Sequence, residues 1–381
     1  MKLATKLIHA GQEPDPSTGA IMTPIFQTST YVQASPGQHK GYEYARSQNP
    51  TRTALEACLA EIENAAFGLS FGSGVAATDA VLKLLSPGDE VIASEDMYGG
   101  TYRLFTKVFE KFGIKFHFVP LHTPGALLPF INEKTKLVWA ETPTNPLMNI
   151  TDIAALSEVC KAHKILLCVD NTFASPWLQS PIDHGADLVM HSGTKYIGGH
   201  SDVVHGCLMM NDHELREKLY FIQKSSGAIP GPMDCFLILR GLKTLHVRMQ
   251  AHCSNGKTVA HFLHNHPKVA RVYWPGFEDH PNHAVAKKQM RDFGGMMSIE
   301  LKKPGMEAAH NMLRSTRLFA LAESLGGVES LINHPATMTH ASIPHEERLR
   351  IGISDGLIRL SVGIEDVEDL LADLEAGLNN V

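Results

Sequence analysis

The chain is poor in paired cysteines, in long apolar runs and in any excess of positive charge. Its six cysteines (Cys58, Cys160, Cys168, Cys207, Cys235 and Cys253) are scattered over 381 residues without one C-x-x-C pair. Several fall in apolar runs, which points to buried free thiols in a reducing compartment rather than a disulfide framework. No stretch approaches the length of a membrane-spanning helix. Met1-Lys2-Leu3-Ala4-Thr5-Lys6-Leu7-Ile8-His9 lacks the apolar core of a signal peptide. Against 40 acidic residues stand 34 basic ones, a formal net charge of −6, so the chain carries no electrostatic footprint for nucleic acid. Internal repeats, low-complexity tracts and a flexible interdomain linker are also missing. What remains is the expectation of a cytoplasmic enzyme that binds neither membrane nor nucleic acid. A hydrophobic fraction of 44% and a charged fraction of 19% are ordinary for a globular protein, and the length favours two or three domains.

Three stretches separate along the chain. Residues 1–48 are rich in Pro, Gly, Ser, Thr and Gln with little helical periodicity, the pattern of a segment that wraps over a surface rather than folding alone. From 49 to 247, strand-like runs (90–94, 114–119, 137–142, 165–170, 188–192) alternate with helical ones (51–63, 74–85, 101–112, 150–162). That alternation predicts an α/β domain, doubly wound around a mainly parallel sheet. Residues 248–381 are helix-rich with a few strands and end in an amphipathic helix over 367–378, which reads as a smaller α+β domain.

Two of the predicted strands end in chemistry. Ile165-Leu166-Leu167-Cys168-Val169 runs into Asp170-Asn171-Thr172, and Ala186-Asp187-Leu188-Val189-Met190 runs into His191-Ser192-Gly193-Thr194-Lys195-Tyr196. In an open α/β sheet, ligands sit beyond the carboxyl ends of the strands. An aspartate and a lysine are therefore aimed into one crevice. The pairing suits pyridoxal 5′-phosphate (PLP), which needs a lysine for its Schiff base and an acid for its pyridinium nitrogen. Gly72-Ser73-Gly74-Val75, before a helical run, offers backbone N–H groups to a phosphate, although taken alone it reads rather as an ordinary glycine turn. Ser192 and Thr194 add hydroxyls beside the lysine. Tyr44 and Arg46 offer a phenol and a guanidinium, the latter the group best shaped for phosphate; in the wrapping segment they serve an interface or solvent equally well.

With these stand Tyr44-Ala45-Arg46-Ser47-Gln48-Asn49-Pro50-Thr51-Arg52, Tyr98-Gly99-Gly100-Thr101, Glu141-Thr142-Pro143-Thr144-Asn145-Pro146, Gly199-His200-Ser201-Asp202 and Arg359-Leu360-Ser361-Val362-Gly363. Their order resembles, nearly end to end, the cysteine/methionine-metabolism family of PLP enzymes. The resemblance implies an aspartate-aminotransferase-like (fold type I) architecture. By that resemblance Lys195 carries PLP, Asp170 keeps the pyridine nitrogen protonated, and Tyr98 stacks on the ring and helps to move protons. Gly74, Val75, Ser192 and Thr194 bind the phosphate, joined by Tyr44 and Arg46 from a neighbouring subunit of a homo-oligomer, a tetramer in the family. Arg359, helped by Asn145 and Ser324, holds the α-carboxylate of a small amino-acid substrate. Thr339 stands behind Arg359, and Glu323 faces the far end of that substrate. Gln48 departs from the pattern, since many members carry a glycine there.

Ala322-Glu323-Ser324-Leu325-Gly326-Gly327-Val328-Glu329-Ser330-Leu331 and Met338-Thr339-His340-Ala341-Ser342 resemble most the cystathionine γ-lyase subgroup, and the γ-synthases as well. The activity this implies is γ-elimination of L-cystathionine to cysteine, 2-oxobutanoate and ammonia, with release of hydrogen sulfide from cysteine or homocysteine as a further capacity. γ-Synthase and β-lyase chemistry are the alternatives within the family. Gly100 stands where methionine γ-lyases carry a cysteine, and Glu323 where many bacterial β-lyases carry an aromatic residue. A free lysine, with a pKa of about 10.4, is mostly protonated at neutral pH, so Lys195 needs help to act as a nucleophile. From a different class, His191, His200, His205 and Asp202 could ligate zinc in a metal-dependent hydrolase, but their spacing fits no helical His-x-x-x-His pattern. A non-catalytic relative is disfavoured by the joint presence of Lys195, Asp170, Tyr98 and Arg359.

Overall fold

Residues 1–381 are described by a computed structural model, in which two β-sheets divide the strands by position in the chain. The first contains β1 (Phe67–Phe71), β2 (Glu90–Ser94), β3 (Lys115–Val119), β4 (Thr135–Glu141), β5 (Leu166–Asp170), β6 (Leu188–Ser192) and β7 (Gly206–Met210), in the order β1-β7-β6-β5-β4-β2-β3. All pairings among β2 to β6 are parallel; β7 runs antiparallel to both β1 and β6. This is the expected mainly parallel α/β sheet. Successive residues of a strand face opposite sides, and here both sides are covered. In β4, Leu137 and Trp139 join one core while Val138 and Ala140 join another, and in β5 Cys168 parts from Leu167 and Val169 in the same way. Strands buried on both faces read as continuous apolar runs, which is why these segments stand out in the sequence.

The helices that matter for the site are α1 (Leu3–His9), α2 (Pro50–Ile62), α3 (Gly74–Leu82), α4 (Gly99–Lys107) and α5 (Ile153–His163). Side chains fix three of their starts. Asn49 accepts from the N–H groups of Thr51 and Arg52, Ser73 from Ala76, and Asp152 from Ala155. Each such cap contributes about 1 kcal/mol and satisfies a donor that the helix itself leaves open. The helix predicted over 101–112 starts earlier and stops at Lys107. Val108 caps it, its N–H still bonded to the Leu104 carbonyl, and a tighter 3-10 turn, Phe109–Phe112, buries Phe109.

Two strands escape the sequence pattern. β1 contains Gly68 and Ser70, and β7 contains Gly206 and two methionines, residues that favour turns or helices. The fold needs both glycines. A Cβ on Gly68 would lie 2.3 Å from the Glu56 carbonyl oxygen of α2, and one on Gly206 would lie 2.1 Å from that of Ser73. The start of α3 thus rests directly on the backbone of β7.

The second sheet holds β8 (Val269–Tyr273), β9 (Met296–Leu301), β10 (Ala320–Leu321), β11 (Leu331–Asn333) and β12 (Leu357–Ser361), in the order β10-β11-β12-β9-β8. Its apolar face, with Ile299, Ile332, Ile358 and Leu360, packs against the long helix Leu245–Asn265 and the last helix, Val367–Asn379. Between α1 and α2 the chain forms only an isolated bridge, Thr30 to Tyr44, and leaves Ile21 and Val32 exposed. No helix is long and apolar enough to cross a membrane.

Gly206→Ala tests the contact that seats α3. Overpacking of this kind costs about 1–3 kcal/mol, so scanning calorimetry should record a lower unfolding midpoint. An unchanged midpoint would contradict the contact.

Candidate active site

The register of the first sheet sets the floor of the site. Glu141 of β4 lies opposite Asp170 of β5, and Asp170 lies opposite Met190 of β6, so β4 and β5 end level and β6 runs two residues further, to Ser192. The turn after β6 then raises Lys195. The start of α3 abuts the same edge, since a Cβ on Gly74 would meet the Ser192 Cβ at 2.9 Å. A cavity of about 300 Å³ opens there. From the first sheet and its loops, Gly74, Val75, Tyr98, Asn145, Asp170, Ser192, Thr194 and Lys195 line it; from the second come Glu323, Ser324, Thr339 and Arg359. Tyr44 and Arg46 lie elsewhere. The Arg46 Nη1 donates to the Lys224 carbonyl at 2.6 Å, and its guanidinium sits 5.5 Å from the centre of the exposed Tyr44 ring.

One end of the cavity is built for an anion. The N–H groups of Gly74 and Val75, at the positive end of nine-residue α3, make no hydrogen bond within the chain. The Ser192 hydroxyl is also unspent, whereas the Thr194 hydroxyl donates to the His205 carbonyl at 3.2 Å and accepts the His205 N–H at 3.0 Å. The other end carries Asp170. Both of its hydrogen bonds, from the N–H and hydroxyl of Thr172, fall on Oδ1, leaving Oδ2 without a protein partner. Burial pushes the Asp170 carboxyl up, while Thr172 and then His191 hold it down.

Between these ends, the Lys195 Nζ donates to the Ser324 Oγ at 2.7 Å. Burial, then the neighbouring Arg359 charge, lowers the ammonium to about 8, with Glu323 opposing. An amine poised for nucleophilic exchange, an acid oxygen awaiting an N–H, and open donors for a phosphate form a donor set that fits PLP.

Arg359 comes from β12 and is buried. Its Nη1 donates to the Asn145 Oδ1 at 2.9 Å and its Nη2 to the Ser324 carbonyl at 2.8 Å. Its partners are an amide and a carbonyl rather than a carboxylate, and burial lowers it to about 10. Burying a cation costs several kcal/mol unless it is paired, so an arginine held this way suits an incoming anion. Behind it, the His340 Nε2 donates to the Asn145 carbonyl at 2.9 Å, so its Nδ1 accepts the Thr339 hydroxyl at 2.8 Å. Burial, with Arg359 nearby, lowers His340 to about 4 and keeps the ring neutral.

Sequence reasoning passed over Glu141. It is buried, its Oε2 accepts the Tyr98 N–H at 3.0 Å and its Oε1 the Asn145 N–H at 2.8 Å. Burial, with the Asp170 charge beside it, pushes the carboxyl well above the usual range. The available signal was an acid ending an apolar strand run, the same one that marks Asp170. The zinc alternative loses its ligand set. His191 meets Glu63 in the interior, the His200 Nδ1 meets the Gly198 carbonyl at 2.8 Å, and His205 is buried and lowered to about 3. No three His, Cys, Asp or Glu side chains converge on a possible metal position.

Comparison with known proteins agrees with this geometry. The family described as Cys/Met metabolism PLP-dependent enzyme matches residues 4–379. A cystathionine β-lyase of Coxiella burnetii is 53% identical over 376 residues, covering 98% of this chain and 97% of that protein. A cystathionine γ-lyase of Dictyostelium discoideum is 54% identical over 379 residues, covering 99% and 98%. A crystal structure of cystathionine γ-synthase from Xanthomonas oryzae pv. oryzae in complex with cystathionine superposes with a TM-score of 0.97 at 46% identity, covering 100% of this chain and 98% of that one.

The depressed Lys195 amine has a measurable consequence. Because only the unprotonated amine reacts, acylation of Lys195 in the cofactor-free protein should rise about tenfold from pH 7 to pH 9, with a midpoint near 8, whereas exposed lysines titrate at about 10.4. Competitive labelling read by peptide mass spectrometry measures this. A Lys195 midpoint matching the exposed lysines would contradict the buried setting.

Proposed function

Because the chain belongs to the Cys/Met metabolism PLP-dependent enzyme family, we propose that it catalyses γ-elimination of L-cystathionine. Its cofactor is PLP, and enzymes of this family act on carbon–sulfur bonds in cystathionine metabolism. The observation that carries the finer reading is Glu323. It lines the inner cavity and also an outer, more open one of about 520 Å³, which shares Thr194, Val204 and Ser324 with it. Cystathionine has an amino-acid group at each end. With one α-carboxylate on Arg359, the far end reaches into the outer cavity, where the Glu323 carboxylate meets its ammonium.

Gly74, Val75, Ser192 and Thr194 would hold the cofactor phosphate, Asp170 its ring nitrogen, Tyr98 its ring face, and Lys195 its aldehyde carbon. Bound there, PLP supplies an electron sink for negative charge at the substrate Cα. Arg359, kept in place by Asn145 and Ser324, orients the α-carboxylate; Thr339 supports it through His340. The Lys195 Nζ takes the proton from Cα and then serves at Cβ, and Tyr98 assists that proton movement. The γ-sulfur leaves with a proton as cysteine. One water enters overall, and the four-carbon remainder ends as 2-oxobutanoate and ammonia. Release of hydrogen sulfide from cysteine or homocysteine would use the same residues.

Tyr44 and Arg46 belong, on this reading, to the active site of a neighbouring subunit in a homo-oligomer, a tetramer. Exposed Ile21 and Val32 in the same irregular segment support a covering partner. The six unpaired, buried cysteines suit the cytoplasm.

Incubating the holoenzyme with L-cystathionine should yield equimolar cysteine and 2-oxobutanoate. Homocysteine and pyruvate would replace this reading with β-elimination, and faster cystathionine formation from an activated homoserine ester plus cysteine would replace it with the γ-synthase reaction. For the shared site, inactive Lys195→Ala and Arg46→Ala subunits should regain activity once exchanged into mixed oligomers. Verified exchange without recovered activity would contradict it.

A further inference from the structure

We infer that Glu141 is a positioning residue whose carboxyl locks together the two walls of the site, the one carrying Tyr98 and the one carrying Asn145 with Arg359. Its two oxygens are used separately. The Oε2 accepts the N–H of Tyr98, the residue immediately before α4, and the Oε1 accepts the N–H of Asn145 in the loop after β4. Asn145 in turn accepts from Arg359 through its side chain and from His340 through its carbonyl. One carboxyl therefore sets both where the Tyr98 ring starts and how the guanidinium of β12 is presented.

The choice of residue follows from hydrogen-bond chemistry. Protonated or not, a carboxyl has lone pairs on both oxygens, whereas an amide has an acceptor on one side only and two N–H donors on the other. Glutamine, though the same size, would turn a donor against one of the two N–H groups. An unpaired buried N–H is costly enough to move the loop. Neither hydrogen bond to Glu141 comes from a lysine or arginine, so the residue is not half of an ion pair.

The inference rests on the assignment of Arg359 to the substrate α-carboxylate, and it predicts a selective defect. Glycine and methylamine present the same amine with and without a carboxylate. Their binding to the PLP-loaded protein is read from the visible absorbance, without turnover of any sulfur compound. Glu141→Gln should retain PLP, weaken glycine binding about tenfold or more, and leave methylamine binding within about twofold. Glycine and methylamine affinities that stay unchanged, or that fall together, overturn the inference. If Glu141→Gln does not fold, Glu141→Asp, which draws both oxygens back by one methylene, is judged by the same criterion. Glycine binding does not depend on which carbon–sulfur bond the enzyme cleaves, so failure of the γ-elimination assay and failure of this test are separate results.

Discussion

Parallel pairing of β4, β5 and β6 sets Glu141 opposite Asp170 and Asp170 opposite Met190, so β4 and β5 stop level and β6 continues to Ser192 at the same edge of the sheet. Slipping one strand by a single residue would turn every side chain to the other face. The register is held because both faces are packed, with Trp139 and Cys168 in one core and Val138 and Val169 in the other. The positions of the two acids and of the turn carrying Lys195 are thus by-products of core packing. What the site adds is polar: an acid at each of two adjacent strand ends and a lysine in the turn after the third.

The second sheet completes the cavity through Arg359. Its bonds to Asn145 and Ser324 join β12 to the loop after β4 and to the segment that also receives the Lys195 ammonium. Two cations, Lys195 and Arg359, and three acids, Glu141, Asp170 and Glu323, therefore line one small cavity. The fall of Lys195 from 10.5 to about 8 corresponds to roughly 3 kcal/mol against its charged form. That is enough for a sizeable unprotonated fraction near neutral pH. Burial raises both Asp170 and Glu141, each of which accepts two hydrogen bonds; the Asp170 charge raises Glu141 further, which pushes their proton affinities apart.

The sequence is most legible where burial is two-sided. The runs 165–169 and 188–190 stand out because each is wholly apolar, and their exits carry the chemistry. β1 and β7 are illegible for the opposite reason: Gly68 and Gly206 serve backbone contacts that arise only once α2 and α3 are in place. Glu141 hides in a motif for a related reason. Its role depends on which N–H groups approach it, and Tyr98 lies 43 residues away. Tyr44 and Arg46 are readable as phosphate-binding types, yet a single chain leaves them on its surface, since their proposed partner is another subunit. The division between γ-lyase, γ-synthase and β-lyase is least legible, because close relatives bearing these names share nearly the whole chain.

Every role proposed for the cavity depends on PLP being held covalently on the turn after β6. Reducing the PLP-loaded protein with borohydride, digesting it and mapping the fluorescent adduct tests it most directly. The label should fall on the peptide containing Ser192-Gly193-Thr194-Lys195, at Lys195. A label on any other lysine, with Lys195 unmodified, would contradict it.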